Sequence, residues 1–137
     1  MFYSKNITVT HGTYATEATA LETELELSAG VIHQVDILFP VNSNREVYVK
    51  ILQASYQLIP TNRDDSIRAN NTVISTREFY ELIPGSNILT VKAWNVHASD
   101  DFMISVNIGV LPRRILQPFS FKELLAAALG MEEPAGE

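Results

Sequence analysis

The chain has 137 residues, a formal charge of -6 at pH 7, 46% hydrophobic and 19% charged residues, and no cysteine. That length fits one domain with one core. The absent thiols exclude a disulfide framework, a thiolate nucleophile and a Cys-based zinc site, and an acidic chain whose adjacent basic pair is Arg113-Arg114 is poorly suited to neutralising phosphates.

The expectation is therefore a chain with no nucleic-acid partner, of a composition that suits a reducing cytoplasm. Met1 to Asn6 lacks a basic region followed by an apolar one, and no apolar run approaches membrane-spanning length. These features predict neither a cleaved signal nor a bilayer segment. The low charged fraction leaves room for surface buried between subunits.

Period-two alternation runs from the start to about residue 111 and predicts an all-β, antiparallel sandwich over residues 1–111. A short first strand centres on Ile7 and Val9, and residues 11–20 are irregular. Leu21, Thr23, Leu25 and Leu27 then alternate with Glu22, Glu24 and Glu26, the pattern of a strand with one buried and one wet face. The glutamates read as an edge strand's guard against stray pairing, or as a partner-facing patch.

After Ser28-Ala29-Gly30, the residues Val31, His33, Val35, Ile37 and Phe39 alternate up to Pro40 and Asn42-Ser43-Asn44. Val47, Val49 and Ile51 begin the next strand, and the two together predict a hairpin. Tyr56 and Leu58 extend or follow that strand to Pro60, before the polar Thr61 to Asp65. Residues 66–82 predict two short strands, around Val73-Ile74 and Phe79 to Leu82.

Pro84-Gly85 occupies the central positions of a type II turn, where proline presets the first φ and glycine accepts the positive second one. Ile88 to Asn95 comes next, with Ile88, Thr90, Lys92 and Trp94 on one face and Leu89, Val91 and Ala93 on the other. Phe102, Ile104, Val106, Ile108 and Val110 make a single-sided strand after the polar residues 97–101. About eight strands at roughly ten-residue spacing favour a jelly roll over an immunoglobulin-like order.

From Pro112 the alternation stops, and residues 112–137 predict an extended C-terminal arm with one short amphipathic helix at about 120–129. Ser120 and Glu123 match a capping box. Phe121, Leu124, Leu125, Ala128 and Leu129 fall on one stripe, ahead of Gly130. A helix this short must dock to persist. Candidate interaction residues are Arg113, Arg114, Ile115, Leu116, Phe119, Phe121, Leu124, Leu125 and Leu129.

Catalytic signals are weak. His11, His33 and His97 share no ligand spacing, and His33 reads as a satisfied or interface histidine. Asp64-Asp65 and Asp100-Asp101 read as solvated loop acids, with a shared calcium ion as the sharper alternative if the loops lie at one end. There is no G-x-S-x-G and no phosphate loop. Trp94 reads as core or interface rather than as a sugar platform.

The strand Val31 to Phe39 ending in Pro40, the turn Pro84-Gly85-Ser86-Asn87 and the strands Ile88 to Asn95 and Phe102 to Val110 together resemble the small jelly-roll decoration, or cement, proteins of tailed-phage capsids. The resemblance covers the whole chain and is architectural. It implies a non-enzymatic virion protein without catalytic, metal or cofactor residues, assembled in the host cytoplasm as a homo-oligomer, often a trimer. It also implies binding to the viral major capsid protein, through sandwich surfaces and an arm that reaches across subunits. The alternative is a carbohydrate- or receptor-binding module using Asn62, Asp64, Asp65, His97, Asp100 and Asp101.

Overall fold

A computed structural model describes residues 1–85 and 87–112. The predicted arm and helix, including Arg113, Arg114, Ile115, Leu116, Phe119, Phe121, Leu124, Leu125 and Leu129, lie outside the described residues.

Eight strands run in order: β1 Phe2–Val9, β2 Leu21–Leu27, β3 Gly30–Phe39, β4 Val47–Gln53, β5 Tyr56–Ile59, β6 Thr72–Leu82, β7 Asn87–Asn95 and β8 Phe102–Leu111. They form two four-stranded antiparallel sheets, ordered β1-β8-β3-β6 and β2-β7-β4-β5. The chain changes sheet at every connection except β4–β5. The two inner faces supply one core, in which Val9, Ile37, Val49, Ile51, Leu89, Val91, Ile104 and Ile108 are buried.

The alternation explains these faces. On β8 the apolar positions Phe102 to Val110 are buried and Met103, Ser105 and Asn107 point outward. On β2, Leu25 and Leu27 enter the core while Glu22, Glu24 and Glu26 stay exposed, and β2 is an edge strand. Residues 11–20 contain only a 3-10 turn, Glu17–Thr19, capped reciprocally by Thr16 and Thr19.

Three expectations are corrected. Residues 31–39 and 47–51 form no hairpin: β3 and β4 lie in opposite sheets, and residues 40–46, with positive φ at Asn42, Asn44 and Arg45, carry the chain across. The hairpin is β4–β5, turning at Ala54. Alternation cannot separate these outcomes, because strands facing each other across a core carry the same pattern as paired ones.

The two short strands within 66–82 are one, β6. It is an edge strand whose outward positions tolerate Ser75 and Arg77, so the polar middle does not break it. Finally, His33 does not share a face with Val35. The register slips between Ile32 and Gln34, so that His33 and Gln34 both stand opposite Gly109 on the outer face while Ile32 takes the core position.

Buried polar side chains tie the connections down. The Asn95 amide donates to the Val9 and Asp100 carbonyls, and its oxygen accepts from the His97 N–H at 2.9 Å. Gln57 donates to the carbonyls of Pro60, Asn62 and Asp65. Ser43 donates to the carbonyls of Pro40 and Ala69.

Candidate functional site

The β1–β2, β3–β4, β5–β6 and β7–β8 connections share one end of the sandwich, as the bonds from Val96 to Glu46, from Asn71 to Pro40 and from His11 to Asp101 require. Each predicted loop residue there is exposed or already engaged. Asn62 donates to the Asp65 carboxylate, and Asp64 is exposed. The Asp101 carboxylate accepts from the His11 backbone N–H at 2.9 Å and meets the His11 ring Nδ1 at 2.6 Å. These hydrogen bonds, the backbone one first, hold the Asp101 carboxyl below its ordinary value.

His97 is used locally. Its Nδ1 accepts from the N–H groups of Ser99 and Asp100 at 3.1 and 3.0 Å, and its ring stands edge-on to Phe102. Nδ1 thus lacks a proton, and Nε2 lies 3.8 Å from an Asp100 oxygen. That geometry organises a loop. The two acidic pairs do share an end, but among the described residues no three His, Asp or Glu side chains converge as metal ligands.

The outer face of β2-β7-β4-β5 is partly covered. Trp94 is 7% exposed yet outside the core cluster, lying flat against Tyr48 at 5.1 Å between centroids. Arg68 covers Tyr48 and donates to its hydroxyl. Lys50, 6% exposed, donates to the Glu17 carboxylate at 2.7 Å and to the Arg63 carbonyl at 3.2 Å. The segments around the 3-10 turn and after β5 thereby bury this aromatic pair, which therefore offers no open stacking platform. Beside it, Glu22, Glu24, Leu52, Ala54, Thr90 and Lys92 line an open trough of about 570 Å³.

The outer face of β1-β8-β3-β6 differs. The register lines up Asn6, Ser105, Leu38 and Val73 in one row and Ser4, Asn107, Asp36 and Ser75 in the next. Ser105 donates to Asn6 at 2.7 Å, and Ser75 and Gln34 both donate to Asp36. Short polar side chains that satisfy one another make a level surface. Apolar groups bound it: Leu38, Val73 and Met103 near one end, Phe2 and Phe79 near the other, all exposed.

Phe2 and His33 meet edge to face at 6.1 Å, over Gly109. A β-carbon at Gly109 would stand 2.6 Å from the His33 Nε2, so the glycine is what lets the histidine ring lie down. Sequence reasoning missed this face. The available signal was the run of Ser, Asn and Thr at the outward positions of β1 and β8, where charged residues are commoner.

Among the described residues no helix is long and apolar enough to cross a membrane. Comparison with protein-family models, with curated proteins and with solved structures yields no match.

Proposed function

We propose that this chain is a jelly-roll structural protein of a virus particle, one that associates with copies of itself and decorates a capsid shell. The observation that carries the reading is the strand order. Sheets ordered β1-β8-β3-β6 and β2-β7-β4-β5, with the chain changing sheet at nearly every step, support the winding of a jelly roll. A jelly roll hosts many functions, so the role rests on further features. These are loop acids and histidines engaged in holding loops, a level outer face suited to lateral packing, and a sequence beyond Pro112 whose apolar stripe needs a surface.

In this reading residues 112–137 reach a neighbouring copy and the major capsid protein, and many modest contacts sum to firm attachment. Light scattering on the full chain and on residues 1–112 tests it. The full chain is expected at a multiple of the monomer mass, with a trimer the reference case, and the shorter chain as a folded monomer. Equal masses would overturn the role of the arm.

A further inference from the structure

The β7–β8 connection is held by an imidazole used as an acceptor. The His97 Nδ1 takes the N–H groups of Ser99 and Asp100, two and three residues onward, at 3.1 and 3.0 Å. Nδ1 stands two bonds from Cβ, as the Oδ1 of an asparagine does, so the ring completes what is otherwise an Asx turn. Asparagine and aspartate keep their acceptor around neutral pH. Histidine does not, because imidazole ordinarily takes up a proton near pH 6.5 and both ring nitrogens are then donors.

The surroundings fix the ring in place. Its side chain is 19% exposed and packs edge-on against Phe102 at 5.2 Å, and the His97 N–H is bonded to the buried Asn95 at 2.9 Å. Turning the ring away gives up the Phe102 contact. Of the ionisable groups nearby, an Asp100 oxygen lies 3.8 Å from Nε2 and favours a charged ring. The Asp101 carboxylate is turned to His11, and Glu46 reaches this connection through its backbone carbonyl, which accepts from Val96 at 3.0 Å.

A proton on Nδ1 would set three donors on one point, so the bonds to Ser99 and Asp100 must break. They are present while the ring is neutral and are lost as pH falls through its titration. The other histidine at this end responds in the opposite sense. Its Nδ1 meets Asp101 at 2.6 Å, and a charge on His11 strengthens that bond. The Asn95 amide, donating to the Asp100 carbonyl at 2.9 Å, anchors the far side of the turn whatever the state of His97.

We propose that His97 is an acid-sensitive latch, in which ring protonation releases the Ser99 and Asp100 N–H groups and opens the turn at residues 97–100 while the sandwich and the His11–Asp101 clasp stay closed. NMR of the full chain between pH 8 and pH 5 tests it. The protection of the Ser99 and Asp100 amides, corrected for intrinsic exchange, is expected to fall by about tenfold or more as the His97 ring signals titrate, with the amide of the fully buried Ile104 unchanged. His97→Asn keeps an acceptor at the same place and should hold both amides across the whole range. Protection that persists while the ring titrates, or that is lost equally in His97→Asn, would overturn the latch. So would a ring that takes up no proton above pH 5, or core amides that open in the same step. The parent titration decides alone if the variant does not fold.

Discussion

Lys50 lies on an outer sheet face yet is only 6% exposed, with its ammonium held by the Glu17 carboxylate and the Arg63 carbonyl beneath Trp94. Removing the carboxylate would leave a desolvated charge with one neutral partner. For a fully buried pair that costs about 3–5 kcal/mol, but the Glu17 side chain is 50% exposed and water can replace it, so Glu17→Gln is expected to cost about 1–2 kcal/mol at pH 7. Lys50→Met removes the buried charge together with its demand, keeps contact with Trp94, and should cost less; urea unfolding of both variants checks the order. The pH dependence has a definite sign. The Lys50 hydrogen bond holds the Glu17 carboxyl below its ordinary value of 4.5, so its contribution is present above that value and disappears as pH falls through the lower folded one. The gap between the parent chain and Glu17→Gln should therefore narrow on acidification.

At the scale of strands, two glycines with the same sequence appearance make different demands. Gly30 opens β3 with φ at 153°, and a β-carbon there would meet the Val110 Cγ1 at 2.7 Å and the Leu111 carbonyl oxygen at 2.8 Å. Neither can yield, since Val110 is fully buried and the oxygen belongs to the backbone. Gly109 would meet only ring atoms of His33 and Phe2, and Phe2 is free to turn toward solvent. Gly30→Ala is expected to cost about 2–4 kcal/mol and Gly109→Ala about 1 kcal/mol or less, read from urea midpoints at constant slope. The difference is invisible in sequence, because it arises between strands far apart in the chain. What was legible is what each strand carries within itself. The alternation on β2, β7 and β8 identified both faces, and Gly85 has the positive φ the Pro84-Gly85 turn demands. What was hidden is relational: which sheet a strand joins, the bulge that turns His33 outward, and the burial of Trp94 under segments distant in the chain. The level polar face of β1-β8-β3-β6 belongs to the same class, since it exists only once Asn6, Ser105 and Leu38 stand in one row.

For the molecule as a whole, the described residues by themselves supply a core drawn from both sheets, and each large apolar side chain buried in it contributes about 1.5–3 kcal/mol relative to exposure. The sandwich formed by residues 1–112 accordingly holds its own source of stability, and removing residues 113–137 should leave a cooperative domain. Association adds a second term of a different kind. If residues beyond Pro112 dock on a neighbour, the folded oligomer is favoured by mass action, and the midpoint of thermal unfolding must rise with protein concentration. A chain ending at residue 112 has no such linkage, and its midpoint should stay fixed as concentration is raised about a hundredfold. Calorimetry on both chains across that range separates the terms. Convergence of the two midpoints at high dilution, with divergence on concentration, is the expected result. A full chain whose midpoint is higher by the same margin at every concentration would mean that the added residues stabilise their own sandwich and join nothing.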